Sequence, residues 1–146
     1  MPGMVCTPAG ARQIFYHLPG DEIGYCGFSH VVRNYAAVTA AVVAGRRSVF
    51  RDIGAFDETL ALDYNDIDFC LRAWSHGYRV VYTPFCELVH FENTSLARTV
   101  SHPHEIRLFQ ERWHAWAEYD PFLPVDVPGS GLAPALGQTP AAAAGT

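Results

Sequence analysis

The chain contains no lysine. Its 10 basic residues are all arginine, set against 15 carboxylates, for a formal net charge of -5. No basic run is longer than the pair Arg46 and Arg47. An acidic chain without a basic stripe lacks the phosphate-neutralising surface that supplies most nucleic-acid affinity, so no nucleic-acid partner is expected. Long hydrophobic runs are absent as well. The longest nearly apolar stretch, residues 35–45, is interrupted by Thr39 and falls well short of the ~20 residues that a membrane span requires. No transmembrane segment is expected. The opening residues show no charged region followed by an apolar one, so no signal peptide is read there. Cys6, Cys26, Cys70 and Cys86 are widely spaced, with no Cys-x-x-Cys pair. Without a secretory signal, the expectation is reduced thiols in the cytoplasm, with the inner face of the membrane as the alternative location.

What is present suits one folded domain. Hydrophobic residues make up 49% of the 146 and charged residues 17%, neither a disordered nor a fibrous composition. Residues 1–34 are rich in glycine, proline and aromatics and have weak periodicity; 13–17 could form a short strand. Residues 37–43 are β-compatible, and 46–53 suit a short helix ended by Gly54. The strongest helix runs from Asn65 to about Gly77: Ile67, Cys70, Leu71 and Trp74 fall at i, i+3, i+4 and i+7, one apolar stripe. Asn65 or Asp66 can cap its start, and Gly77 suits the left-handed residue past its end. Phe69 projects away from that stripe and requires cover from elsewhere, either the last helix or a missing segment. Residues 78–83 and 87–91 read as short strands, and 104–118 as a helix. From 127 to 146 the chain has no charge and is dominated by alanine, proline and glycine. Such a tail cannot offset its ordering entropy by burial, so disorder is expected there. The element order predicts an α/β fold with a small mixed sheet and flanking helices over 1–126.

Chemistry concentrates around the helix that starts at Asn65. Asp57, Glu58, Asp63, Asp66 and Asp68 lie between Arg51 and Arg72 with no basic residue among them. Carboxylates grouped at a helix start can bind a cation, accept a proton or hold substrate hydroxyls. They can equally be a solvated loop whose charges favour the helix dipole. Asp66 and Asp68 are two positions apart, roughly 200° around a helix. Asp68 stands four before Arg72, the orientation of a surface ion pair. Asp66 has no such partner. Among the histidines, His90 sits at the exit of a predicted strand. A zinc site from Cys70, Cys86 and His90 has no supporting spacing.

Several linked motifs resemble a known family. VTAAVVAGRRSVFRDIGAFDE at 38–58, NDIDFCLR at 65–72, GYRVVYTP at 77–84 and ELVH at 87–90 are similar, in order, to the second half of bacterial family 2 glycosyltransferases. The resemblance covers roughly residues 30 to 125. It implies the C-terminal, acceptor-side part of a GT-A fold and the transfer of a sugar from a nucleotide-diphosphate donor to an acceptor hydroxyl, with inversion. It further implies Asp66 as the catalytic base and His90 as a ligand of a divalent metal, Mn or Mg. Asn65, Asp68, Glu92 and Ser95 are implied as acceptor contacts. The partners implied are a nucleotide sugar and a glycan or other hydroxyl acceptor.

The departures from the family pattern are specific. HFEN at 90–93 stands where many relatives read HHES, which bears on the metal contacts. QERW at 110–113 is one residue short of the QxxRW of processive synthases, so processivity is not inferred. No β-α-β opening or Asp-x-Asp metal motif precedes the matched region. The expectation is a fragment lacking the donor-binding half, with apolar surface and a sheet edge near Ala37 open to association. The alternative is a non-catalytic remnant that binds a glycan or a partner chain.

Overall fold

In the computed structural model, residues 3–7, 10–15, 18–89, 102–118 and 120–122 are described. Two strands open the fold, β1 (Gly3–Thr7) and β2 (Gly10–Ile14). They pair antiparallel, with Gly3 opposite Ile14 and Thr7 opposite Gly10. The strand read at 13–17 lies instead at Gly10–Ile14, as the second strand of this hairpin. Its side chains divide between two cores: Met4 and Cys6 enter the main cluster, while Val5 and Ile14 join Phe15 and Tyr35 in the second. That alternation is the period of a strand buried on both faces. Gly3 is required by close approach, because a Cβ there would stand 2.5 Å from the Tyr35 ring.

The β-compatible run at 37–43 forms no strand. Only Ala37 makes a bridge, accepting from the Met4 N–H at 2.8 Å. Beyond it the amides are taken by side chains: Ala40 N–H donates to Asp66 and Ala41 N–H to the Thr39 hydroxyl. A ladder cannot propagate through amides already committed. The strand in this region is β3 (Arg33–Asn34), paired antiparallel with β4 (Val81–Tyr82). Instead of one mixed sheet, the described residues form two small antiparallel pairs. The expected strand at 87–91 is absent over 87–89, and the rest lies outside the described residues.

The helices follow their periodicity. They are α1 (Arg47–Asp52), α2 (Asn65–Ser75) and α3 (Pro103–Glu118). Ile67, Cys70, Leu71 and Ala73 of α2 are buried against Met4, Cys6, Ala37, Ile53 and Phe109. Gly77 takes φ 80 after the end of α2, the left-handed residue that the sequence predicts. The start of α2 differs from expectation. Its cap is Tyr64, in a left-handed conformation with no side-chain cap bond. Tyr64 is held there by stacking on Phe109 of α3, with ring centroids 4.6 Å apart. Phe69 finds its cover from α1 and the turn after it, with the Phe50 and Phe56 rings 5.4 and 5.0 Å away. α3 packs across both strands of the hairpin. Its end is fixed by Trp74, Trp116 and Phe122, with Trp74 and Phe122 stacked at 4.7 Å.

The core also fixes the thiols. Cys6 and Cys70 are buried, and desolvation pushes each thiol up to about 12. Cys26 and Cys86 are exposed. Because the thiolate is the reactive form, a disulfide reagent near pH 8 should titrate Cys26 and Cys86 quickly in the native chain. Cys6 and Cys70 should react only on unfolding, as peptide mapping of the modified thiols will show; rapid labelling of Cys70 would contradict this packing.

Candidate functional site

The first turn of α2 sends its two aspartates into different surroundings. Asp66 faces the 38–41 segment. One of its oxygens accepts from the Ala40 N–H at 3.0 Å and the other from the Ile67 N–H at 2.9 Å. The second bond satisfies one of the amides that a helix start leaves free, which offsets the missing side-chain cap at Tyr64. Cys70, one turn on, is directed at the same segment, its thiol 3.8 Å from the Val38 carbonyl oxygen. Asp66 is half-buried, and only backbone amides meet its carboxylate among the described residues. Both oxygens keep acceptor capacity, since a carboxylate offers about four lone-pair sites.

Asp68 has the opposite environment. Its relative exposure is 0%. One oxygen accepts from Arg72 Nε at 2.7 Å; the other accepts from Arg112 at 2.8 Å and from the Trp113 indole at 2.9 Å. The surface ion pair read from the i, i+4 spacing is therefore half of a buried network. Its second half comes from α3, which departs from helical geometry at Trp113 (φ -120, ψ 23) where the indole reaches Asp68. Arg72 also donates to the carbonyls of Ile53 and Ala55 just past α1. Arg112 donates as well to Asp57 at 2.7 Å. Asp68 and then Asp57 raise the Arg112 pKa further above its ordinary value. Asp68, expected as an acceptor contact, faces three donors of its own chain and no solvent.

The surrounding carboxylates are also committed. Glu105 of α3 is buried and accepts from the Leu62 and Asp63 amides at 3.2 and 2.7 Å. Asp63 meets His102 at 2.8 Å. Asp57 accepts from the Thr59 amide and hydroxyl, and these bonds with Arg112 hold its carboxyl down to about 2. The acidic stretch is thus largely a set of local ties rather than an open cation cluster. Among the described residues no group of three or more His, Cys, Asp or Glu could hold a metal ion. Asn65 is half-buried beside Asp66, and its side chain makes no hydrogen bond within the described residues. His90, Glu92 and Ser95 lie outside the described residues.

Arg112, Trp113 and Glu105 are the structural partners that sequence reasoning did not assign. QERW at 110–113 carries two of them and stands out in the sequence, but as a near-match to another motif. Nothing local pairs residues 112 and 113 with Asp68, 44 and 45 positions away.

Comparison with known proteins gives partial matches. The chain is 34% identical over 123 residues to the O-antigen biosynthesis protein RfbC of Myxococcus xanthus, covering 83% of this chain and 9% of that protein. It is 33% identical over 129 residues to the uncharacterized protein y4gI of Sinorhizobium fredii, covering 81% of this chain and 14% of that one. Pre-mycofactocin glycosyltransferase of Mycobacterium tuberculosis is 37% identical over 59 residues, 40% of this chain and 12% of the relative. No family model matches, and no solved structure does. The chain therefore spans a small part of each of these relatives, and the named matches relate it to glycosyltransferases at modest identity.

Removing one partner of a buried ion network leaves the others uncompensated. Asp68→Ala should cost about 3 kcal/mol in urea unfolding, the low end of that range, because the two guanidinium groups regain water. Asp57→Ala, a half-exposed pair, should cost under ~1 kcal/mol. Equal losses would contradict Asp68 as the centre of the network. The depressed Asp57 carboxyl contributes stability that is present above its unfolded value and fades as pH falls through its folded one. Asp57→Asn should accordingly flatten stability against pH between about 4 and 2, measured by acid titration of the midpoint.

Proposed function

We propose that this chain is the acceptor-side part of an inverting, family 2 glycosyltransferase of GT-A fold, with Asp66 as its general base. The observation that carries the reading is the contrast within one helical turn. Asp68 is consumed by Arg72, Arg112 and Trp113, whereas among the described residues Asp66 is met by backbone amides alone. A base must be positioned without being neutralised by a fixed cation, and must retain lone pairs for the incoming proton. The names of two relatives, one for O-antigen biosynthesis and one for glycosyl transfer, support a sugar as the transferred group.

In the proposed reaction the acceptor hydroxyl attacks the anomeric carbon of the donor sugar. Asp66 takes the hydroxyl proton as the new C–O bond forms. The bond to the nucleotide diphosphate breaks, its electron pair leaving with the phosphate oxygen, and the anomeric configuration inverts. Asn65 is a proposed acceptor contact, supported by a side chain that makes no hydrogen bond among the described residues. Glu92 and Ser95 remain proposed acceptor contacts, and His90 a proposed ligand of Mn or Mg. Such a metal would neutralise the leaving diphosphate. The described residues do not by themselves furnish its donor set.

The test is a chimaera in which this chain replaces the matching segment of the Myxococcus xanthus relative, assayed with a panel of nucleotide sugars. Asp66→Asn keeps one of the two amide contacts, to Ala40 or to Ile67, because the side-chain amide has a single acceptor oxygen. It should lower stability by about 1 kcal/mol and lower turnover roughly 10²-fold or more, as for a lost general base. Turnover near the parent rate in Asp66→Asn would overturn the assignment.

A further inference from the structure

We propose that the outer face of α1 and the loop before it dock onto an anionic lipid surface. Residues 42–56 hold three of the arginines against one aspartate, in a chain whose net charge is -5. Arg46, Arg47 and Arg51 are exposed, and their side chains have no hydrogen-bond or ion-pair partner among the described residues. Arg72 and Arg112, by contrast, are tied to carboxylates. Large apolar side chains are interleaved with these cations. Val42 is 52% exposed, Val43 47%, Phe50 37% and Phe56 38%.

On α1 the cations and rings share one side. Arg47, Phe50 and Arg51 fall at i, i+3 and i+4 of α1, on one side of the helix, while Val49 turns to the core from the other. Phe56 extends that side, its ring 5.6 Å from Phe50. Val42 and Val43 lie just before Arg46. Exposed valines and phenylalanines set among guanidinium groups that have no partner among the described residues match the interface of a bilayer, where apolar groups enter the headgroup region and cations meet anionic lipids. A second exposed apolar group, around Val81, Phe85, Leu88 and Val89, has Glu87 in its midst and lacks that complement. Charge complementarity selects an anionic bilayer over a neutral one and over an acidic chain's own copies, which repel. This inference is independent of the proposed transfer chemistry.

The test is co-sedimentation of the full chain with vesicles of phosphatidylcholine, with and without phosphatidylglycerol. Binding should require the anionic lipid and weaken with added salt. Arg47→Gln with Arg51→Gln should reduce partitioning about five-fold per arginine. Val42→Ser with Val43→Ser, in an exposed loop where packing is not at stake, should reduce it while leaving the salt dependence in place. Circular dichroism of each variant separates lost binding from lost fold. No binding to the anionic vesicles, equal binding to both vesicle types, or binding indifferent to both variant pairs would overturn the proposal. So would salt-insensitive self-association through this face in the absence of vesicles.

Discussion

A carboxylate taken fully out of water must be met by donors, because an unpaired buried charge is far costlier than any single contact around it. At Asp68 the donors arrive from two directions. Arg72 comes from the next turn of the same helix, and Arg112 with Trp113 from α3. Each cation then spends its remaining hydrogen atoms on a further element: Arg72 on the carbonyls after α1, Arg112 on the Asp57 turn. One buried oxygen pair thereby ties α1, α2, α3 and the turn between α1 and α2. Hydrophobic packing alone would bring these helices together without fixing their rotation. The network fixes it, since guanidinium and carboxylate meet only in a narrow range of geometry.

The same network decides which carboxylate of α2 remains chemically available. With α2 rotated so that Asp68 faces α3, Asp66 must face the segment at 38–41, as the helical spacing of two residues dictates. That segment cannot continue as a strand, because its Ala40 amide is drawn to Asp66. A local rule predicting β structure there loses to one side-chain acceptor. The loss has a consequence for the site: an extended strand at 38–41 would pair its amides with a neighbour and leave Asp66 with the Ile67 amide alone.

The sequence was legible where periodicity governs. The stripe of Ile67, Cys70, Leu71 and Trp74 places α2 within two residues, and Gly77 marks its end. The last helix is also placed to within one residue. The hairpin at the start was legible only in part of β2: β1 sends Met4 and Cys6 into one core and Val5 into the other, so no polar face alternates with an apolar one there. Tyr64 as the cap was not legible either, because its left-handed backbone is stabilised by a ring stack with Phe109, 45 positions later in the chain. Asp68 looked like a surface residue because the i, i+4 rule sees only its own helix. Its burial depends on α3, and no local pattern reports that.

The position of Asp66 therefore rests on contacts that are remote in sequence. α3 grips the start of α2 at three successive levels: His102 on Asp63, Glu105 on the amides of Leu62 and Asp63, and Arg112 with Trp113 on Asp68. These residues bracket Asp66 on both sides, so the turn that carries it is clamped before and after. Backbone order in a helix start is otherwise weak, because its first amides lack intrahelical partners. Here the Glu105 carboxylate takes two amides of the approach, and Asp66 itself takes one inside the helix. The helix that follows the 90–101 segment is thus the element that orients Asp66. A change in how α3 sits would reach that carboxylate through Asp68 without touching any residue beside it.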